Sequence, residues 1–330
     1  MLRYLTAGES HGEALLAILD GLPAGLKVDV LKINQELKRR QGGYGRGARM
    51  KIEEDKARII SGLKKGVTLG SPIGILIRNK DFSIERLHPV VNPRPGHADL
   101  AGLLKYGFKD VRNVLERASA RETASRVSIG AACKIFLSEF GINIRSRVLS
   151  VGVEYSEKGR RNKISQAREK SDTIGGIFEV VAQGVPCGLG SYMQKDLRLD
   201  ARLAQDVISI PGIKAIEFGL GFGYIEKFGS ECHDAIYYSK GRGYYRKTNN
   251  SGGIEGGVSN GEDIVIRACM KPISTLLKPL PSVNINTKNP GKAAVERSDI
   301  CVVQAAGVTA ESACAFVLSD ALLQKFGSDS

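Results

Sequence analysis

The chain has no tryptophan, and only 6% of its 330 residues are aromatic. Single-strand and RNA binders stack bases on aromatic platforms, and little is available here to build one. Cysteine is sparse and scattered. Cys133, Cys187, Cys232, Cys269, Cys301 and Cys314 form no CxxC pair and mostly lie inside apolar runs such as AACKIF and ICVVQ. That pattern gives neither a metal site nor a disulfide framework, and reduced core thiols are expected. No basic segment followed by an apolar run opens the chain, and no stretch approaches the roughly 18 uninterrupted apolar residues of a membrane span. A cytoplasmic protein with no membrane partner is expected. Linkers and low-complexity tracts are also missing apart from a glycine and arginine cluster near residue 45, so residues 1–330 are expected to form one domain.

A net charge of +13 and 39 glycines are present in their place. The charge points to an anionic partner, whether nucleic acid, an acidic surface or a small polyanion. The glycines imply tight turns and close backbone approaches. The 42% hydrophobic fraction supports a substantial core. Strands are predicted at RYLT, 72–81, 176–184, 213–222, 262–271 and 299–307. Helices are predicted at EALLAILD, 30–40, 99–106, 112–140, 195–208 and 309–326. The last helix shares a small-residue texture and a terminal FG with the one ending at Gly141, which hints at an internal duplication, although a shared helix composition explains it about as well. Strands and helices do not alternate one for one, and no GxGxxG opens a helix. An α+β sandwich therefore suits the order better than a Rossmann fold or a barrel.

Three segments carry the main candidate chemistry. In TAGESHGEA, Gly8 to Gly12 fit GxSxG, which would make Ser10 a nucleophile; the competing reading is a capping box from Ser10 to Glu13, which leaves His11 unexplained. In KRRQGGYGRGARMK, residues 38–51, Lys38, Arg39, Arg40, Arg46, Arg49 and Lys51 surround four glycines. A flexible RNA-binding tail is one reading of this cluster. A pocket for a small polyanion is preferred, because the cluster joins an apparent helix to an apparent strand and arginine forks suit carboxylate and phosphate. In NPRPGHADLAG a proline-stiffened loop aims His97 beside Arg94, which favours acid chemistry on an anion. His88 and His233 are read as structural. Arg117 and Arg121 around Ser119, Lys271 in MKPIST and Arg297 in ERSD are further basic positions; Arg297 has Asp299 two residues on, and from the pattern alone this pair reads as a surface ion pair sooner than as a site.

Taken in order, AGESHG, RRQGGYGRGARM, RPGHAD, ERASARETASRV, DTIGGIFEV, SGGIEGGVSNGEDIVIRACMKPIST and ERSDICVVQAAG resemble the chorismate synthase family over nearly the whole chain. The resemblance implies a β-α-β sandwich with helices between antiparallel or mixed sheets, assembled as a homotetramer. It implies elimination of phosphate from 5-enolpyruvylshikimate 3-phosphate with reduced FMN (FMNH2) as cofactor. His11 would protonate the departing phosphate, His97 would supply a proton near the flavin, and Asp299 would help remove the ring proton. Ser10, Arg40, Arg46, Arg49, Arg94, Arg121 and Arg297 would hold the substrate. Arg117, Ala118, Ser119, Pro211, Gly212, Gly256, Lys271, Pro272, Ile273, Ser274, Thr275 and Arg297 would hold the flavin. Pro211 stands where the family often has a polar residue and Ser274 where it often has proline, so backbone rather than side-chain contact is expected at both. Absence of large insertions points to an external flavin reductant rather than intrinsic use of NADPH.

Overall fold

In the computed structural model, which describes residues 1–47, 52–296 and 298–327, the segment ALLAILD is a strand and not the predicted helix. Leu15, Ala17 and Leu19 are buried while Leu16 and Ile18 are exposed, the period of two of a half-buried sheet. Helix preference in leucine and alanine amounts to only tenths of a kcal/mol per residue, about what a single buried methylene outweighs. Ser10 accordingly caps no helix there.

This strand, β2 (Ala14–Asp20), lies between β1 (Arg3–Ala7) and β4 (Ile73–Arg78), and β3 (Ala57–Ser61) completes a four-stranded sheet in the order β1-β2-β4-β3. A second sheet, formed by β5 (Asn143–Val151), β6 (Gly176–Gln183), β7 (Ile213–Phe218) and β8 (Ile264–Met270), runs in the order β5-β6-β8-β7. Every pairing within these two sheets is antiparallel, which corrects the mixed alternative.

Between the sheets lie α1 (Val30–Gln41), α4 (Thr123–Ser138), α6 (Leu199–Ile208) and α7 (Val303–Phe326). Helix α4 packs on β2 and β4, α7 packs on β5 and β6, and α4 packs on α7, giving the expected β-α-β sandwich. The α4–α7 approach is close: a Cβ on Gly130 would lie 2.2 Å from the Cβ of Ser312. Helix α7 is apolar on every face and is long and apolar enough to cross a membrane by composition, but 89% of its most apolar window is buried inside the protein, as in a core helix.

Counting only the two sheets and the helices between them, each half of the chain repeats one plan: two strands, a helix, two strands, then a long helix. The duplication hinted at by the two FG-terminated helices therefore extends to topology. Other boundaries shift. Residues 299–307 are no strand; α7 begins at Val303 because the apolar run is long enough to span the helix layer. The predicted helix 112–140 is three pieces, α3 (Arg112–Ala118), a 3₁₀ turn at Ala120–Glu122 and α4. Ser119 breaks it by taking an extended conformation, and its hydroxyl accepts the Arg121 N–H. Helices α2 (Asp99–Tyr106) and α5 (Glu157–Glu169) lie outside the central layer. Cys133, Cys232, Cys301 and Cys314 are buried as expected, but Cys269 is half-buried and Cys187 exposed.

Candidate active site

One cavity of about 450 Å³ opens where loops from both halves of the chain meet. Its floor is arginine. Asp29 caps the start of α1, Lys38, Arg39 and Arg40 fill the helix's last turn, and Gly42 closes it. Cations are favoured at that end by the helix dipole. Arg40 is only 5% exposed and donates to Thr123 Oγ1 and the Ala120 carbonyl, both at 2.9 Å, with Asp55 at 3.4 Å. Arg121, from the 3₁₀ turn, donates to Asp55 at 2.6 Å and to Asn79 Oδ1 from two nitrogens. Burial, helped by the neighbouring Arg121 and Arg46, pushes the Arg40 guanidinium down to about 10 against the pull of Asp55 and Asp299. Such a crowd of cations is stable only with carboxylates behind it. Glu53 and Asp55 supply them at 3.6 and 2.6 Å from Arg121.

Arg46 enters from the glycine loop. A Cβ on Gly47 would lie 2.6 Å from the Ser298 carbonyl, and one on Gly45 would lie 2.9 Å from Ile164. These glycines thus bring the loop against the 298–301 segment, where the sequence reading expected close approach to a ligand. The Ile300 N–H donates to the Gly45 carbonyl at 2.8 Å, the Gly47 N–H donates to Asp299, and Arg46 lies 3.4 Å from Asp299. Burial lowers the pKa of Arg46 while Asp299 opposes it. Arg39 lines no part of this cavity; it is paired with Glu36 and Glu311. Arg40 and Arg46 turn inward, so this segment is built as a pocket wall and not as a solvated nucleic-acid tail. Arg49 and Lys51, and likewise Arg297, lie outside the described residues.

Both predicted imidazoles face the cavity. His11 follows β1, and its Nδ1 lies 2.9 Å from Glu116 Oε1. Burial works to raise the Glu116 carboxyl, but hydrogen bonds from the His11 ring and backbone outweigh it and hold it low. Ser10 is also in the wall, 3.2 Å from Ser119 Oγ. The serine-nucleophile geometry is not formed, since the turn joins two strands instead of a strand and a helix. His97 Nδ1 lies 2.5 Å from Asp99, which also receives Arg94 from its Nε at 2.8 Å and Nη2 at 3.0 Å. Asp99 is held well below the usual carboxylate range, because His97 and Arg94 overcome its burial. Arg94 reaches across to Thr275 Oγ1 at 2.7 Å.

Another part of the lining is more apolar. Leu115, Ala118, Ile210, Pro211, Met270, Pro272, Ile273 and Val302 line it, with Ser119, Gly212, Lys271, Ser274 and Thr275 among them. Lys271 and Ser274 both donate to the Gly96 carbonyl, tying this strip to the His97 loop. Burial, and after it Lys214, lowers the Lys271 ammonium. Two expected residues are elsewhere. Arg117 points along the first sheet, donating to the carbonyls of Thr6 and Gly8. Gly256 sits in a hairpin turn at φ +59°, its carbonyl accepting from Arg198. His88 and His233 lie outside the cavity, and the backbone carbonyl of His88 accepts from Arg112 at 2.8 Å.

Sequence reasoning passed over the groups behind these walls: Glu53, Asp55, Asn79, Asp99 and Glu116. Asp99, two residues after His97 in a stiffened loop, was legible as a partner. Glu116 sits in an ordinary helical pattern and gave no signal. The assembled cavity gathers several guanidinium groups, which suit a multiply charged anion, with an apolar strip, two imidazoles and the Asp299 carboxylate.

Residues 2–323 match the family described as chorismate synthase. The chain is 56% identical over 332 residues to chorismate synthase of Thermoanaerobacter pseudethanolicus, covering 100% of this chain and 95% of that one. It is 50% identical over 374 residues to that of Aquifex aeolicus, covering 99% and 94%. A crystal structure of chorismate synthase superposes with a TM-score of 0.82 at 43% identity, covering 99% of this chain and 93% of the other. With fold, sequence and cavity in agreement, the chain belongs to the chorismate synthase family, carbon–oxygen lyases of the route to the aromatic amino acids.

Proposed function

We propose that the substrate, 5-enolpyruvylshikimate 3-phosphate, occupies the arginine-floored cavity, and that His11, His97 and Asp299 carry the proton transfers of the elimination. The observation that supports this reading is the convergence of the three groups on one cavity from loops far apart in sequence. Arg40, Arg46, Arg94 and Arg121 hold the phosphate and two carboxylates, with Ser10 beside them. His11 gives its proton to the departing phosphate. Asp299, fixed by Arg46 and the Gly47 N–H, would help remove the ring proton, and His97 would supply a proton near the flavin. Arg49 and Arg297 are assigned to the substrate set by motif alone.

Reduced FMN is the cofactor in this reading. The apolar strip suits a flat ring system, and Ala118, Ser119, Pro211, Gly212 and the Lys271–Thr275 segment would hold it. When bound, the reduced flavin supplies transient electron density that loosens the C–O bond. The protein's part is orientation, charge and exclusion of water. Arg117 and Gly256 stay outside this set for the chain on its own. The enzyme acts as a homotetramer of single-domain chains, in the cytoplasm, with an external flavin reductant.

An anaerobic assay with dithionite-reduced FMN and the phosphorylated substrate tests the reading. Wild type forms chorismate, and His11→Ala, His97→Ala and Asp299→Ala each lose roughly 10²-fold or more in kcat. No chorismate from wild type ends the substrate assignment, and variants at full rate end the role assignments.

A further inference from the structure

We propose that Glu116 is the positioning residue of His11: it fixes the ring with Nδ1 protonated, so that Nε2 is the nitrogen that exchanges a proton in the cavity. This rests on the assignment of His11 as a proton donor. The last turn of α3 grips residues 10 and 11 at three points. The Glu116 carbonyl accepts the Ser10 N–H at 2.9 Å, Glu116 Oε2 accepts the His11 N–H at 2.8 Å, and His11 Nδ1 lies 2.9 and 3.1 Å from the two carboxylate oxygens. An ionised carboxylate has no proton to give, so the hydrogen on that contact must sit on Nδ1. Both oxygens are thereby committed to His11.

The carboxylate is itself held. Glu116 is 3% exposed, and Arg112, one turn earlier, lies 3.6 Å away. Arg112 in turn is anchored by the His88 carbonyl and by Glu296, each at 2.8 Å. A buried carboxylate is costly to keep where an apolar residue would pack as well. Here its side-chain hydrogen bonds go to one neighbour, His11, with Arg112 held as an ion pair behind it. Asp99 beside His97 is different, because it also receives the Arg94 N–H and two guanidinium nitrogens, so its loss would disturb the whole loop. The assignment is therefore made for Glu116 alone.

Two measurements test it. The first is a double-mutant cycle on kcat with Glu116→Gln, His11→Ala and both together. A residue acting through His11 gives Glu116→Gln a loss of about 10-fold or more, and the double variant is no slower than His11→Ala. Glu116→Gln at wild-type rate, or a double variant slowed by the product of both factors, overturns the proposal. His11→Ala at wild-type rate overturns the donor role as well, which separates the two failures. The second measurement needs no variant at position 116, so it stands if Glu116→Gln does not fold. Nitrogen chemical shifts of wild type labelled with ¹⁵N-histidine, with His11 assigned through His11→Ala among only four histidines, report the neutral tautomer. Nδ1–H is the expected form, and a bare Nδ1 with Nε2–H overturns it.

Discussion

Arg121 commits its guanidinium to Asn79 and Asp55 and still lines the cavity, so its shape matters as much as its charge. Arg121→Lys keeps the charge and removes the fork. Charged hydrogen bonds are each worth about 1.5–3 kcal/mol, so kcat/KM is expected to fall by about 10-fold or more in steady-state assays, and an unchanged value would contradict the floor assignment. Asp206 in α6 offers a pH test. Its Oδ2 is buried without a partner among the described residues, and burial raises the carboxyl from 3.8 to about 6 against Arg126 and Arg202. The folded protein then holds a proton that the unfolded chain has released between these values. Stability is lost as pH rises from about 4 to about 6, and the penalty persists above that. Melting temperatures of wild type and Asp206→Asn should diverge over that interval, wild type falling behind. At this scale the sequence displayed His97 and the inward arginines through glycine, proline and charge, and Asp99 through its place beside His97, while Glu53, Asp55 and Glu116 follow no local pattern.

Glu311 in α7 shows how the elements are joined. It is 0% exposed and receives Arg39 of α1, Lys134 of α4, and the backbone and hydroxyl of Ser146 in β5. Removing its charge leaves two half-buried cations with Glu36 as their remaining carboxylate. Glu311→Gln is expected to cost about 1–3 kcal/mol in denaturant unfolding, and no measurable loss would show that the cluster is solvated. Gly130→Ala tests the apolar part of the same layer. The added methyl has no room beside Ser312, and a loss of about 1–3 kcal/mol or more follows unless α4 and α7 can separate. The periodic helices 30–41 and 99–106 were legible because their patterns are local. The segment 14–20 was misread because its preference is settled by the strands on both sides, and 299–307 because a helix buried on all faces has no stripe to recognise.

Over the whole molecule, burial sorts the thiols. Cys187 alone is classed as exposed among the six, while burial pushes the Cys133 thiol up to about 12 and that of Cys314 higher still. A bulky thiol reagent on the native protein is expected to modify Cys187 first, leaving Cys133 and Cys314 untouched until unfolding. Rapid labelling of the latter two would mean that the helix layer opens. The sandwich itself was visible in element order and in family motifs spread along the chain. The identity of its layers was not, because long-range pairing leaves no mark on either partner alone.

The repeated plan of strands and helices leaves neither half with a complete chamber. His11, Arg40, Arg46, Arg94, His97 and Arg121 come from the first half, and Pro211, Lys271, Thr275 and Asp299 from the second. Half of the chain would have one sheet and one exposed apolar helix face, so a half-length forerunner could have enclosed a ligand only by pairing with itself. Two identical halves give two identical walls. In one polypeptide the two walls are free to differ: the first half carries the arginines and both imidazoles, while the apolar lining draws on both halves, Leu115 and Ala118 from the first and Ile210, Met270 and Ile273 from the second.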